Sequence, residues 1–258
     1  MLPGERLPFL IRGRAVGWVR RRLADALAAW PEIARRDGAV ELADGAALAG
    51  IARALALAGH YRWRNEAFDV RAAPDGPVLA QIDRGAIPSF GVVAVGVHLN
   101  GLVRRPDGLH VWIARRAANK ALDPGKLDHI TAGGVPAGLT PEQTLAKEAE
   151  EEAGIPAALA SQALQVASFS YAMERPEGLR RDLLHCYDLN LPAGFVPRAV
   201  DGEVAGFELW PIARVMQTVR DTDDFKFNVN LVLIDLLMRQ GLIDGPEASG
   251  LRQALFAA

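Results

Sequence analysis

The chain has a single cysteine, Cys186, among its 258 residues. Its apolar runs all fall well short of the roughly 18 residues that cross a membrane as a helix. One cysteine excludes an internal disulfide, and the amino-terminal residues lack the apolar core of a signal peptide. The net charge of -2 excludes the broad positive field of a nucleic-acid-binding protein. We therefore expect a cytoplasmic protein that has neither a nucleic acid nor a membrane as its partner.

Hydrophobic residues make up 50% of the chain, enough for one large domain or two small ones. In its first part, apolar residues recur at helical spacing over residues 22–36, where Pro31 interrupts the pattern, and over residues 47–63, which predicts helical structure in both segments. Residues 68–84 follow with two short strand patterns around a Pro-Asp-Gly turn. The segment Ile87–Phe90 then marks a boundary. We predict a small amino-terminal α+β domain over residues 1–88.

The second part is richer in β-branched and aromatic residues, which favour strands. Arg-Arg-Pro-Asp-Gly, residues 104–108, is typical of a turn between two of these strands. Two helix patterns stand among them, TPEQTLAKEAEEEAG and NVNLVLIDLLMRQG, and the second is apolar almost all round. Strands with interspersed helices predict a mixed α/β domain over residues 89–245. The tail, residues 246–258, is only weakly patterned.

The first of these helices has well-marked ends. Thr140 suits the N-cap, Pro141 suits the first helical position, and Gln143 completes a capping box. Gly154 can adopt the left-handed conformation that ends a helix. The sequence therefore predicts a helix over residues 141–153.

At about 100° per residue, Glu148, Glu151 and Glu152 share an arc beside the apolar stripe of this helix. Lys147 and Glu150 fall on the far side and are expected to face solvent. Three converging carboxylates repel one another unless a cation lies between them, and their oxygens suit a hard divalent ion such as Mg²⁺. The alternative is a solvated acidic face, which fits Glu150 better than the other three because the shared arc contains no lysine.

The stretch from Gly133 to Ile155, GGVPAGLTPEQTLAKEAEEEAGI, resembles the Nudix box. That pattern is Gly, five residues, Glu, seven residues, then Arg-Glu-apolar-x-Glu-Glu-x-Gly-apolar, and it is specific. The resemblance implies that Glu148, Glu151 and Glu152 hold Mg²⁺, or Mn²⁺ in its place. It also implies that the backbone carbonyl of Gly133 adds an oxygen.

Two positions depart from this pattern. Leu139 stands where the family has a glutamate, and Lys147 stands where it has an arginine. In the family these positions brace the box through an ion pair. A lysine can still reach a carboxylate, but it lacks the bidentate geometry of an arginine. The departures put the brace in question more than the metal site.

Further segments, among them PGKLDHITAGGVPAGL, YDLNLP and DFKFN, are similar to the Nudix subgroup associated with thiamine pyrophosphokinases, which carries an extra amino-terminal domain. The early GWVRRRLADAL and YRWRNEAFDV resemble it too. The resemblance implies an α/β/α sandwich around a mixed sheet. It also implies hydrolysis of a diphosphate, namely that of damaged or otherwise altered thiamine diphosphates, to monophosphate and phosphate.

In this family the general base is a box glutamate or a residue from a later loop. Glu203 is the candidate for the later loop, and an ordinary turn residue is the alternative. Arg115 and Arg116 end a strand and point to opposite faces, so at most one of them points inward to bind phosphate oxygens. The alternative for either one is a solvated strand end.

Three further side chains are candidates for substrate binding. His98 and Asn100 alternate onto one side of a strand and could line the pocket. A hydrogen-bonded core histidine is the alternative for His98. Lys226 lies at the start of the last apolar helix, where the helix N-terminus favours anions.

Rival functions remain open at this point. A hydrolase of nucleoside diphosphate derivatives would use the same fold. A diphosphate isomerase would need a catalytic cysteine, and Cys186 lies in an apolar segment. A non-catalytic diphosphate-binding module would not need three metal-binding glutamates. In every case the partner is a small-molecule diphosphate, and a homodimer is an open alternative.

Overall fold

A computed structural model of the protein describes residues 6–120, 122–200 and 202–256. The chain forms two compact units. The first contains residues 1–95, 135–139 and 171–183, and the second contains residues 96–134, 140–170 and 184–258. The first unit thus continues past the predicted boundary at residue 88.

The first unit contains a four-stranded sheet in the order β2-β1-β4-β3, in which β1 and β4 are parallel and the other pairs are antiparallel. Its strands are β1 (Arg6–Ile11), β2 (Arg14–Arg20), β3 (Ile33–Arg36) and β4 (Ala39–Leu42).

The helical pattern over residues 22–36 forms a helix only before Pro31, the residue that interrupts it in the sequence. Helix α1 covers Arg21–Leu27 only, and strand β3 occupies the end of the predicted helix. The cause is a two-residue turn, Asp37 and Gly38, at φ angles of 49° and 77°. Asp-Gly at positive φ is typical of a β-hairpin, so the pairing of β3 with β4 overrides the helical spacing.

The rest of the first unit follows the sequence pattern more closely. After a 3-10 helix at Gly45–Ala47 come α2 (Leu48–Leu57), the antiparallel strands β5 (Ala67–Val70) and β6 (Ala80–Asp83), and α3 (Ile87–Phe90). Helix α2 buries the predicted apolar face, and the two predicted strands are confirmed. Phe90 is buried and meets Phe9 edge to face, with ring centroids 5.2 Å apart. The segment expected at the boundary is therefore part of the core of the first unit.

A seven-stranded sheet has the order β11-β12-β7-β8-β13, with β10 paired to β7 and β9 paired to β8. The hairpin predicted at residues 104–108 is confirmed, because Arg105 pairs with Gly108. The strands are β7 (Val93–Arg105), β8 (Gly108–Arg116), β9 (Leu127–Asp128), β10 (Thr131–Gly134), β11 (Leu164–Arg175), β12 (Gly178–Asn190) and β13 (Val204–Pro211).

Five helices complete the second unit: α4 (Pro141–Ala153), α5 (Ala157–Ala160), α6 (Ile212–Asp221), α7 (Val229–Arg239) and α8 (Gly245–Phe256). Helix α7 is buried over most of its surface, as its apolar pattern predicts. The tail that the sequence left weakly patterned is helical in α8, up to the last described residue. No helix of the described residues is both long and apolar enough to cross a membrane.

Candidate functional site

Helix α4 carries the glutamates, and its predicted ends are confirmed. Thr140 Oγ1 accepts the Gln143 N–H at 3.2 Å, and Gln143 Oε1 accepts the Thr140 N–H at 2.9 Å. Gly154 ends the helix at a φ of 64°. These caps satisfy backbone groups that the helix itself leaves unpaired. They fix where the helix begins and ends, and therefore the direction in which each glutamate side chain projects.

Gly133, on β10, lies directly against the side chain of Glu148. A Cβ atom at position 133 would stand 2.6 Å from both Cγ and Cδ of Glu148. Real Cβ atoms do not approach that closely, so any other residue would displace the glutamate. The glycine therefore leaves room for the Glu148 side chain beside the backbone of β10, and its role as a metal ligand stays a prediction.

Glu152 is buried, with 8% of its surface exposed. Its Oε2 accepts the Thr131 hydroxyl and the Ala132 N–H, each at 3.0 Å. Burial raises the pKa of this carboxyl to about 8, and the charges of Asp128 and Glu148 add to the rise. In the described part of the chain, no cation contacts Glu152.

Lys147 is exposed, as its position on the helix predicts, but it also reaches two of the glutamates. Its Nζ donates to Glu151 Oε2 at 2.7 Å and lies 3.5 Å from Glu148 Oε1. Glu151 turns toward this lysine, and the three carboxylates do not converge into a group of ligand atoms within 4.8 Å. An exposed pair at this spacing is worth about 0.3–0.5 kcal/mol, so it competes weakly with a divalent ion for Glu151.

Glu148 and Glu203 interact although they are distant in sequence. Burial raises the pKa of Glu148, Lys147 opposes this, and the charges of Glu151 and Glu203 raise it further. Glu203 is half exposed, and its Oε2 accepts a hydrogen bond from Lys120 Nζ. The structure thus brings Glu203 near the box glutamates, as a general base from a later loop requires.

Asp128, at the end of β9, is a functional candidate that the sequence analysis missed. Its Oδ2 lies 2.8 Å from Arg116 Nη1 and 3.5 Å from Lys226 Nζ. Burial alone would raise the pKa of Asp128, but Lys226, His129 and Arg116 outweigh it and hold the pKa well below its usual range. The available signal was weak, because Asp128 stands in the mixed segment KLDHIT with Leu127 and Ile130 as its only apolar neighbours.

Arg116 is the inward-pointing arginine of the pair, but it is already engaged. Besides Asp128, its guanidinium donates to the carbonyl oxygens of Leu122 and Asp123. These bonds make Arg116 a structural partner, which corrects its predicted role as a phosphate ligand.

Arg115 lies on the other face of the strand and is exposed. Its Nη1 donates to Gly125 O at 3.1 Å. It lines a cleft of about 220 Å³ in which none of the box glutamates takes part. The other lining residues are Ile113, Leu127, Ala205, Gly206, Phe207 and Glu208.

His98 and Asn100 do not line an open pocket. Both are buried, which corrects their predicted contact with substrate and fits the core-histidine alternative. The Nδ1 atoms of His98 and His129 are 3.0 Å apart. Burial lowers the pKa of both rings, for His129 to about 4. At neutral pH both rings are therefore neutral, and one Nδ1–H donates a hydrogen bond to the other Nδ1. Asn100 donates to Asp188 Oδ1 at 2.9 Å.

The ligand atoms of His98, Asp128 and His129 lie within 4.8 Å of one another, a spacing that metal sites also use. Here, however, Asp128 already pairs with two cations, and the two Nδ1 atoms already bond to each other. Cations of the protein itself therefore already offset the negative charge of Asp128 in this group. Glu152, in contrast, has no such balance.

Cys186 is a buried free thiol. Burial raises its pKa, and the charge of Asp235 raises it further. A thiol in this state is a poor nucleophile and a poor acid at neutral pH. This environment argues against the isomerase alternative.

Comparison with known proteins places both parts of the chain. Residues 3–94 match a domain of unknown function, DUF4743, and residues 95–230 match the NUDIX domain. Nudix hydrolase 20, chloroplastic, of Arabidopsis thaliana is 38% identical over 96% of this chain and 71% of its own length. Nudix hydrolase 24, chloroplastic, of the same plant is 45% identical over 72% of this chain, which spans about half of that relative, 51%.

A solved structure supports the fold. The crystal structure of DR0079 from Deinococcus radiodurans has a TM-score of 0.50 at 22% identity, covering 67% of this chain and 98% of its own. The predicted fold class, a Nudix α/β domain beside a small amino-terminal α+β domain, is confirmed. With its NUDIX domain and its Nudix hydrolase relatives, the chain belongs to the Nudix hydrolase family, whose chemistry is the cleavage of a diphosphate linkage.

Proposed function

We propose that the chain hydrolyses a small-molecule diphosphate with Mg²⁺ held by Glu148, Glu151 and Glu152 and by the carbonyl oxygen of Gly133. One observation carries this proposal: Glu152 is a buried carboxylate that no cation contacts in the described part of the chain. An unpaired buried carboxylate is costly unless it is protonated or meets a cation.

The residues present fit a hard divalent ion. All the side-chain donors are carboxylates, and oxygen-only sets suit Mg²⁺ and Mn²⁺. Glu152 uses only Oε2 for its two hydrogen bonds, which leaves Oε1 available. When bound, such an ion neutralises phosphate oxygens and lowers the pKa of water. Lys147 would give up Glu151 at little cost, for the reason stated above.

Glu203 is our candidate for the general base. It stands near Glu148, whose pKa its charge raises, and Lys120 holds its carboxylate by a hydrogen bond. A base must reach the proton that it abstracts, directly or through one water. The Glu203 side chain is half exposed although Lys120 contacts it, so a water molecule can still reach the carboxylate. Glu148, whose pKa is also raised, is the alternative within the box.

Asp128, Arg116 and Lys226 take a supporting role in this proposal. Lys226 begins the turn before α7, and its ammonium group approaches Asp128 rather than solvent. The three groups form a charged cluster, and the charge of Asp128 in it contributes to the raised pKa of Glu152. We therefore propose that Lys226 contributes a fixed positive charge and is not a direct phosphate ligand.

For the substrate we propose damaged or otherwise altered thiamine diphosphates. The support is the resemblance of the quoted segments to the thiamine-associated Nudix subgroup, and the names of the two plant relatives state no substrate. Thiamine diphosphate carries a cationic ring, whereas some oxidised forms are neutral. An enzyme that clears the damaged forms needs no cation-binding cage around the ring. Nucleoside diphosphate derivatives are the second candidate substrate.

The test is a phosphate-release screen with chelator-treated protein, with and without Mg²⁺, over thiamine, nucleoside and sugar diphosphates. We expect release only with metal, and fastest from neutral-ring thiamine diphosphates. A competition assay then follows the monophosphates of thiamine diphosphate and of its oxidised form in one tube. Equal or faster use of normal thiamine diphosphate contradicts the substrate, and full turnover in excess chelator contradicts the metal dependence.

The other classes are separated in the same assay. Conversion of a diphosphate to an isomer that needs Cys186 would support the isomerase. Diphosphate binding without turnover of any substrate would support the non-catalytic module. A cytoplasmic location and a homodimer stay proposals, and two of the relatives carry the word chloroplastic in their names.

A further inference from the structure

The middle of the Nudix box belongs to the first unit of the chain. We call residues 135–139 the box segment; they lie in the first unit, whereas the residues on either side lie in the second. Two backbone hydrogen bonds hold the segment. Val135 N–H donates to Val95 O, and Ala137 N–H donates to Ala67 O, each at 2.8 Å. Ala67 is the first residue of β5, within the domain of unknown function.

The backbone just before Ala67 is fixed by a single buried carboxylate. Asp83 is 3% exposed. Its Oδ1 accepts the N–H groups of Arg64 and Gly85 at 2.9 and 2.8 Å, and its Oδ2 accepts the Glu66 N–H at 3.1 Å. Three charge-assisted bonds offset the cost of burying the charge. They leave the loop ahead of β5 little freedom to move.

Two further features give this loop one conformation. Asn65 has a φ of 61°, in the left-handed region that asparagine tolerates better than most residues. Gly85 stands so close to Arg62 that a Cβ atom on it would lie 1.9 Å from the Arg62 carbonyl oxygen. A loop held this firmly presents the Ala67 carbonyl as a fixed acceptor for the box segment.

We propose that Asp83 is a positioning residue for the metal site of the second unit. By fixing residues 64–67 it anchors the box segment, which joins Gly133 to the helix that carries Glu148. Gly133 and Glu148 are in such close contact that a small shift of the segment changes their spacing. The domain of unknown function would thereby shape the metal site. This inference rests on the proposed metal site.

Two substitutions test the inference through Mn²⁺ binding, followed as the loss of the free-ion electron paramagnetic resonance signal without substrate. In Asp83→Asn an amide replaces the carboxylate. Because both oxygens of Asp83 accept backbone N–H groups, the NH₂ group faces a backbone donor in either orientation, and at least one hydrogen bond is lost. Ala137→Pro removes the hydrogen bond to Ala67 altogether. The matched controls are Ala137→Gly, which keeps the N–H, and Asp69→Asn on the paired strand β5, where the carboxylate accepts hydrogen bonds from the side chains of Arg71 and Gln81.

We expect the Mn²⁺ dissociation constant to rise about tenfold in Asp83→Asn and Ala137→Pro, the lower range for losing a group that orients metal ligands. The controls should stay within about twofold of the wild type. Circular dichroism identifies a temperature at which every variant is folded. At that temperature, a substitution that only lowers stability leaves the Mn²⁺ dissociation constant unchanged. If Asp83→Asn does not fold, the Mn²⁺ dissociation constant of Ala137→Pro tests the inference by itself.

The outcomes separate this inference from the proposed function. Wild-type binding that Glu152→Gln weakens, but Asp83→Asn and Ala137→Pro leave unchanged, overturns the positioning role and keeps the metal site. Absence of Mn²⁺ binding by the wild-type protein overturns both.

Discussion

Asp128 and Glu152 are two buried carboxylates of the same unit with opposite surroundings. They are 5% and 8% exposed. Asp128 has Arg116 at 2.8 Å and Lys226 at 3.5 Å, whereas Glu152 has one hydroxyl and one backbone N–H, each at 3.0 Å. The pKa of Asp128 is held well below its usual range, and that of Glu152 is raised to about 8.

Asp128 is thus a carboxylate that already has cationic partners in the fold, whereas Glu152 is one that has none in the described part of the chain. Asp128 completes an internal charge cluster, so losing it should harm the fold. Glu152 is charged only at a cost, so losing its charge should spare the fold and harm the chemistry. Burial alone does not distinguish these roles, because both side chains are equally hidden. The neighbours distinguish them.

The largest expected effect is on stability, from Asp128→Asn. The change removes the carboxylate that Arg116 and Lys226 share, and the side chains of these two residues are each only 12% exposed. Breaking a buried pair from one side costs about 3–5 kcal/mol. Urea unfolding at pH 7 measures it. The control is Asp25→Asn, which breaks an exposed pair with Arg35 and should cost under about 1 kcal/mol. Equal losses in the two variants would contradict the cluster.

Next is Glu152→Gln, which should lower kcat by at least about a hundredfold, equivalent to about 2.7 kcal/mol. The amide keeps the shape but is a poor ligand for a hard cation. Thermal stability without metal should hold or rise, because the variant no longer has to protonate or bury an ionisable carboxyl when it folds. Steady-state kinetics with Mg²⁺ and a thermal melt measure the two parts. Near wild-type turnover would remove Glu152 from the site.

The pH dependence of stability sharpens the comparison further. The pKa of Glu152 is about 8 in the folded protein, against about 4.3 for an unfolded glutamate. Between these values the folded state keeps a proton that the unfolded state has lost. Metal-free stability should therefore fall with rising pH, by up to about 1.4 kcal/mol per pH unit, and level off above pH 8.

Denaturant unfolding of wild type and Glu152→Gln from pH 5 to 9 isolates this contribution as the difference between the two curves. Mn²⁺ should flatten the wild-type curve, because a cation favours the ionised carboxylate. Parallel curves for the two proteins without metal would show that Glu152 ionises normally.

The smallest effect is expected from Glu150→Gln. Glu150 is exposed on the same helix, one and two positions from the proposed ligands. Its removal should change kcat by less than about twofold and stability by less than about 0.5 kcal/mol. Kinetics and melts run beside the Glu152 variant check this. A loss comparable to that of Glu152→Gln would mean that the whole acidic run acts together.

Local signals in the sequence were enough for the elements whose ends are capped or turned. Helix α4 begins at a capping box and ends at a left-handed glycine, and both features involve residues a few positions apart. The hairpin at residues 104–108 is local in the same way. The helical pattern that begins at residue 22 does not continue to residue 36. Pro31 interrupts it, and the Asp37-Gly38 turn lets the residues after Pro31 pair as strand β3 with β4.

The sequence alone indicated the family, the acidic helix and which glutamates share one arc, because spacing along a helix is set by backbone geometry. It could not show that Lys147 reaches back to Glu151, or that His98 and Asn100 are buried. Nor could it show that Arg116 and Lys226 contact Asp128 and not Glu152. Charge balance and burial depend on side chains that are far apart in the chain, and only tertiary packing brings them within a few ångströms.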